Sequence, residues 1–346
     1  MNIRFATPDE ISSWNKLIVK NPDNGNVFQG KEFAAQKQSN GWTARFIMAD
    51  TLAITVLQKH VPLFGMLWYV PKGPGVASLN ELQSLLPHLR KLAMRQGVFT
   101  IKIEPELRAS DELLGEFLQL RLERVTPIQP NASTITLSLK PSLDVILTSL
   151  NQKGRHAINR AKRDGVVVRH VKSSDEHCQI MFDLLRTTAE NNFFIRPFDY
   201  YKTFWQRYEA AKLGQLFFAY VDDQVVAGAY VLLMGTKSTY KDGASVRERP
   251  VYGASHLLQW HVIEWAKNHG SVIHDLCGSP PSAEINNTNH VHYGIGRFKS
   301  SFNKEVTDYV GAYEISIKPF KAKLWQRYVE KFVRKLYFKK HHQSYY

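Results

Sequence analysis

The chain has 346 residues, 44% of them hydrophobic and 22% charged. This balance excludes fibrous, low-complexity and wholly disordered classes, and the length predicts two domains rather than one. Lys and Arg number 45 against 31 Asp and Glu, a formal net charge of +14 that favours anionic partners, and two cysteines, Cys178 and Cys277, exclude a disulfide framework and a four-thiolate zinc site.

The amino terminus shows no basic stretch followed by an apolar one, and no apolar run approaches the roughly 18 residues of a membrane span. A monomeric cytoplasmic protein is expected, with a basic excess suited to the face of an anionic bilayer. Thr7 to Lys20 reads as a helix capped by Thr7, with Pro8 in its first turn. Short strands follow at Ala44 to Met48, Leu52 to Lys59 and Gly65 to Val70. Apolar residues at Leu82, Leu85, Leu89 and Leu92 then mark a helix from Leu79 to Arg95, which Gly97 ends before a strand at Val98 to Ile103.

Ser110 to Arg124 is predicted as a helix and Thr134 to Leu139 as a strand, with the Lys140-Pro141 break suited to a crossing between domains. Helices are predicted around Asp144 to Leu150 and from Gly154 to Asp164, a strand at Val166 to Val171, and helices at Asp175 to Asn191 and Tyr200 to Ala211. The earlier order then returns: strands at Leu213 to Val221, Gln224 to Gly235 and Lys237 to Lys241, a helix at Ser255 to Asn268, Gly270, and a strand at Ser271 to Cys277. Two copies of strand, strand, strand, helix, glycine, strand predict a repeated α/β layer architecture. The tail from Pro319 to about Tyr337 reads as a basic amphipathic helix.

No GxxxxGK[ST] run and no dinucleotide fingerprint occurs, and Lys72-Gly73-Pro74-Gly75 lacks the donors of a phosphate loop, so no cofactor is expected and energy must arrive stored in a substrate. His290 and His292, with His274 and Asp275, lack a defined third ligand, and no metal is assigned to them. Cys277, at the end of an apolar strand, reads as a small buried hydrophobe. Lys153, Arg155, Arg160, Lys162 and Arg163 spread charge over one helix, either as a solvated face or as a surface for RNA or phosphate. Arg196, Pro197, Tyr200 and Tyr201, beside Asn191 to Phe194, form a group able to clamp a phosphate and stack on a ring, or to cap a helix. Gly296-Arg297-Phe298-Lys299 with Phe302 sets cations among aromatics. A lysine there suits oxyanion stabilisation in acyl transfer as well as a structural ion pair.

These segments, taken together and in order, resemble the Fem family of peptidoglycan bridge-forming aminoacyltransferases. The resemblance runs through Asn26-Val27-Phe28-Gln29, Lys37, Gly41-Trp42, Trp68 to Pro74, Lys153-Gly154-Arg155, Arg196, Tyr200, Tyr240 with Gly243-Ala244-Ser245, Leu258-Gln259-Trp260, Asp275, Gly278, and Gly294 to Lys299 with Phe302. It implies two GNAT-like α/β (α+β) domains, each a mixed twisted sheet flanked by helices, over 1–142 plus 318–346 and over 143–317. It implies transfer from aminoacyl-tRNA to the diamino residue of a peptidoglycan precursor, nucleotide-linked or lipid-linked. By position, Lys37 and Arg196 look like the pair that holds the precursor's diphosphate end, with Tyr200 beside them. Tyr240 matches an aromatic of the acceptor channel, and Phe298-Lys299 match the motif whose lysine meets the reacting ester. Asp242 stands where the family often has a second aromatic. The basic helix at Lys153 to Arg163 is expected to meet the tRNA backbone. No long charged heptad segment occurs, so the short FemX-like form fits. An acyl-coenzyme A-dependent acyltransferase and a non-enzymatic RNA-binding protein are the competing readings. The first lacks its pyrophosphate loop, and the second leaves Arg196 and Lys299 without a role.

Overall fold

The structure, a computed structural model, describes residues 1–120, 122–129, 132–189, 195–248, 251–341 and 343–346. In chain order the strands are β1 (Ile3–Phe5), β2 (Thr43–Ala49), β3 (Leu52–Val61), β4 (Gly65–Val70), β5 (Val98–Ile103), β6 (Glu123–Val125), β7 (Ser133–Ser138), β8 (Val167–Val171), β9 (Gly214–Val221), β10 (Gln224–Met234), β11 (Lys237–Ser245), β12 (Ile273–Gly278), β13 (Val306–Asp308) and β14 (Ala312–Ser316). They form two sheets, ordered β1-β2-β3-β4-β5-β14-β6 and β13-β7-β12-β11-β10-β9-β8.

The repeat read from the sequence is visible in the ladders. β2, β3 and β4 pair antiparallel in turn, the helix Leu79–Arg95 crosses over, and β5 returns parallel to β4. In the second sheet β9, β10 and β11 pair antiparallel, the helix Ala254–Asn268 crosses over, and β12 returns parallel to β11. A parallel return needs such a crossover, because two parallel strands cannot be joined by a tight turn. Each copy is completed by a strand from elsewhere in the chain, β14 beside β5 and β7 beside β12, both antiparallel.

The chain divides into two units, Met1–Ala132 with Tyr309–Tyr346, and Ser133–Asp308. The division falls at 132/133 and 308/309, where the sequence reading set it at 142/143 and 317/318. Strand pairing decides the difference: β7 precedes Lys140 yet belongs to the second sheet, and β14 precedes Lys318 yet belongs to the first. In the first unit, Trp68, Ile101, Ile103 and Ile315 of the sheet pack with Leu82, Leu85 and Leu89 of its crossover helix. In the second, Ala227, Ala229 and Val231 pack with Leu258, Val262 and Ile263.

Three elements depart from expectation. The first helix is two short ones, Pro8–Ser12 and Trp14–Ile18, with the Thr7 cap in place as read; Ser13 Oγ donates to Asp9 O at 3.1 Å where they part. The helix begun at Asp111 ends at Gln119, because Glu123–Val125 pairs instead with β14, a partner far away in sequence. The tail helix is longer than expected: Pro319–Leu324, a π-helical turn Trp325–Val329, and Glu330–His341. Trp325 is buried against Phe64 and Phe99, with ring centroids 5.6 and 5.9 Å away. Glu330 accepts from Lys102 Nζ at 3.0 Å through each carboxylate oxygen and from Tyr346 Oη at 2.6 Å.

Candidate active site

The second sheet opens where its repeat closes. β11 and β12 pair parallel at Lys237↔Ile273, Ser238↔His274 and Thr239↔Asp275, and there the pairing ends although both strands run on. On its other edge β12 stays joined to β7, but through a bulge between Asp275 and Gly278. Within the bulge Cys277 has φ 60°, a left-handed conformation that side chains other than Gly, Asn and Asp seldom adopt. Asp275 holds this turn in place: Oδ1 accepts from Cys277 N–H at 2.8 Å and from Thr134 Oγ1 at 2.5 Å, while Oδ2 lies 3.5 Å from Lys237 Nζ.

Lys299 uses the carbonyls that the bulge supplies. Its Nζ donates to Cys277 O at 3.0 Å and to Gly278 O at 2.7 Å, and lies 6.0 Å from the centre of the Tyr240 ring. It is the last residue of the helix Tyr293–Lys299. Gly296 lets that helix approach its neighbours, since a Cβ there would stand 2.8 Å from Pro280 Cδ and 2.9 Å from Ile285 Cδ1. Phe298 anchors the same turn, edge-on to Phe302 at 5.5 Å and to His256 at 4.9 Å. Burial pushes the Lys299 ammonium down to about 8, with the nearby Cys277 and Asp275 offsetting part of the shift. Two of its three N–H donors are taken by carbonyls, which leaves one, among the described residues, for an oxygen outside the protein.

His274, on β12, is wholly buried between Ser238 Oγ at Nδ1 (2.8 Å) and Gln259 Nε2 at Nε2 (2.7 Å). Burial holds it down to about 4, so it is neutral. Its ring is spent on the packing of the Leu258-Gln259-Trp260 helix turn. His290 and His292 have ring centroids 5.7 Å apart, and no cluster of three or more metal-ligating side chains occurs among the described residues.

A run of aromatic and charged groups leads away from the fork on the same unit. The Arg196 guanidinium sits 4.6 Å over the Tyr200 ring. Tyr200 meets Tyr201 edge-on at 5.8 Å, and Tyr201 meets Trp205 at 5.4 Å. Tyr201 and Trp205 share one face of the helix Phe198–Ala210 through four-residue spacing. Trp205 Nε1 donates to Asp242 Oδ2 at 3.0 Å, and Lys241 Nζ donates to Asp242 Oδ1 at 3.0 Å. Asp242 is therefore committed to two internal donors. Burial alone would lower Lys241, but the Asp242 carboxylate outweighs it and holds the ammonium well above the ordinary lysine range. Asn191 to Phe194, which the sequence placed beside Arg196, lie outside the described residues. Tyr240, two residues before Asp242, folds its ring over Gly243, whose missing Cβ leaves the space that the phenol hydroxyl fills.

The structure thus gathers Arg196, Tyr200, Tyr240, Asp242, Phe298 and Lys299 on the second unit, in two neighbouring groups joined through β11. Lys37 belongs to the first unit, at the end of the helix Lys31–Gln38, buried with its ammonium 5.4 Å from the Phe33 ring centre. On the helix Gln152–Arg163 the residues Lys153, Lys162 and Arg163 are exposed. Arg155 is turned back onto the carbonyls of Thr148 (2.7 Å) and Leu150, and Arg160 pairs with Asp164 at 2.6 Å. Glu104 accepts from Tyr69 Oη at 2.7 Å and from the N–H groups of Ile128 and Gln129. Sequence reasoning missed Trp205 and Lys241. The four-residue step from Tyr201 to Trp205 was the available signal.

The sequence profile of the FemAB family matches residues 122–222 and 210–331, more than half of the chain. The chain belongs to the FemAB family. The lipid II:glycine glycyltransferase of Staphylococcus aureus is 20% identical to it over 392 residues, taking in 86% of this chain and 89% of that protein. Among solved structures FemX superposes with a TM-score of 0.79 at 19% identity, over 95% of this chain and 100% of the other. L-PGS from Bacillus licheniformis superposes with a TM-score of 0.53 at 12% identity, over 94% and 98%. The resemblance read from the sequence holds, and each of the two units is a mixed sheet flanked by helices.

Proposed function

We propose that this FemAB-family chain transfers an aminoacyl group from aminoacyl-tRNA to the free amine of the diamino residue in a peptidoglycan precursor. The observation that carries the reading is the ammonium of Lys299, held at the open fork of β11 and β12 by two carbonyls with one donor to spare. The tRNA ester is already activated, so bringing an amine to it is the main task. The amine attacks the ester carbonyl carbon, and the carbonyl oxygen gains negative charge. Lys299 donates to that oxygen. The ester C–O bond then breaks, and the departing ribose oxygen leaves with the proton lost by the amine.

In this reading Arg196, with Tyr200 beneath its guanidinium, holds the diphosphate of the acceptor. Tyr240 lines the acceptor path, and Lys153, Lys162 and Arg163 meet the tRNA backbone. Asp242 supports Trp205 and Lys241 in place of a second aromatic. The similarity to a lipid II:glycine glycyltransferase favours a cell-wall acceptor. A protein acting on one would work in the cytoplasm or at the cytoplasmic face of the membrane, and no described helix is long and apolar enough to cross it.

The test incubates the protein with a panel of charged tRNAs and with nucleotide-linked and lipid-linked precursors, and reads product masses. A mass increase of one or more aminoacyl groups on a precursor is expected. Turnover of acyl-coenzyme A without tRNA, or tRNA binding without transfer, would remove the reading. Calorimetry with Arg196→Ala should show weaker precursor binding than the parent; an equal affinity would withdraw it from the diphosphate site.

A further inference from the structure

The tail segment Pro319–His341 buries one side and leaves the other to solvent. Ala322, Trp325 and Glu330 face inward. Outward, Phe320, Leu324, Tyr328, Phe332 and Leu336 recur every four residues, and Phe320, Tyr328 and Phe332 are 81%, 70% and 62% exposed. Isolated exposed apolar side chains are ordinary; a regular row over roughly 25 Å of helix is not. Four-residue spacing overshoots an α-helical turn by about 40°, and the π-helical turn Trp325–Val329, which has more residues per turn, takes up part of that drift.

Immediately before four of these residues stand exposed cations: Lys323, Arg327, Lys331 and Lys335, with Lys339 continuing the row. The segment carries eight Lys and Arg against a single carboxylate, Glu330, which is already bound by Lys102. A second element adds to the face. Leu63, at the turn between β3 and β4, is 93% exposed, and Lys321 Nζ ties that turn to the helix through Leu63 O at 2.7 Å and Phe64 O at 3.1 Å.

We infer that this face, with the apolar row of Phe320, Leu324, Tyr328, Phe332 and Leu336 bordered by the cation row, docks the protein on an anionic phospholipid bilayer. The chemistry excludes the nearest rivals. An RNA backbone would satisfy the cations and leave five large apolar side chains against phosphate and water. A second copy would cover the apolar row but bring two strongly basic rows together. A bilayer surface takes both, the aromatic and aliphatic groups entering the acyl boundary while the lysines reach the headgroups. The helix lies on the membrane and does not span it. The inference extends the functional reading above to the place where an acceptor would be met, and the two are tested apart.

Co-sedimentation with vesicles of phosphatidylcholine, with and without phosphatidylglycerol, reads the docking and needs no substrate. The full chain is expected to bind the anionic vesicles and not the neutral ones. A Phe320→Ser, Phe332→Ser variant and a Lys331→Gln, Lys335→Gln variant should each lower partition by roughly tenfold or more. Both should melt as the parent does, since the side chains are exposed, and both should transfer to the soluble nucleotide-linked acceptor at the parental rate. Absence of binding by the parent, or undiminished binding by the phenylalanine variant, overturns the proposal. Loss of charged-tRNA affinity in the phenylalanine variant with vesicle binding intact assigns the face to RNA. A parental dimer that this variant dissolves, without vesicle binding, assigns it to a second copy.

Discussion

An ammonium buried beside two carbonyls that take two of its three donors answers to two opposed demands. Transition-state stabilisation needs it charged, and burial pushes it down to about 8. The unfolded lysine titrates near 10.5, so between about pH 8 and 10.5 the unfolded chain holds the extra proton and stability rises with pH across that window; below it the folded state carries the full cost of the buried charge. Activity runs the other way. Single-turnover transfer is expected to fall through an alkaline limb near pH 8. Lys299→Met should lower the rate roughly a hundredfold to a thousandfold, the loss of about 3 to 4 kcal/mol from one oxyanion donor. Lys299→Arg should abolish the limb, because a guanidinium stays charged there. Asp275→Asn separates support from electrostatics: it removes a carboxylate that raises the Lys299 value and should move the limb toward acid pH. A limb that stays in place while the amplitude falls would reduce Asp275 to a brace for the bulge.

At the scale of elements, the strand that carries Tyr240 depends on a residue with no side chain. A Cβ on Gly243 would fall on the Tyr240 hydroxyl, and neither β11 nor the ring can yield without losing its neighbours. Gly243→Ala is expected to cost about 1 to 3 kcal/mol of stability through overpacking and to displace the ring from the fork. The measurement is a denaturation midpoint together with precursor affinity; a variant equal to the parent in both would show that the tyrosine rests elsewhere. What could be read from sequence follows the same division between local and distant causes. Leu79–Arg95 and Val98–Ile103 match their expected bounds, because the 3.6-residue period and Gly97 are local signals. Glu123 and Arg124 read as the end of a helix because their partner strand, β14, lies far along the chain. Lys299 was legible as a cation among aromatics, yet its partners are backbone carbonyls, which no pattern of side chains encodes. Cys277 is buried as expected, but nothing in an apolar run announces a residue at positive φ.

For the whole molecule, a charge of +14 is a statement about partners only after the committed cations are set aside. Arg155 holds the end of the preceding helix and Arg160 is neutralised by Asp164, so the five basic residues of Gln152–Arg163 reduce to Lys153, Lys162 and Arg163 as outward charge. Lys102 is likewise spent inside the first unit, on Glu314 and Glu330. Counterion release scales with phosphates contacted, with a slope of about 0.7 to 0.9 per contact. Neutralising Lys153, Lys162 and Arg163 to Ala should therefore flatten the dependence of log affinity for charged tRNA on log salt by about 2 to 3. The same change at Arg155 should leave the slope alone and lower the melting temperature, because it removes donors from two helix-end carbonyls. Filter binding across a salt series separates the two outcomes. If the triple variant keeps the parental slope, the tRNA backbone lies against some other surface, and this helix is simply a solvated one whose charge is incidental to the reaction.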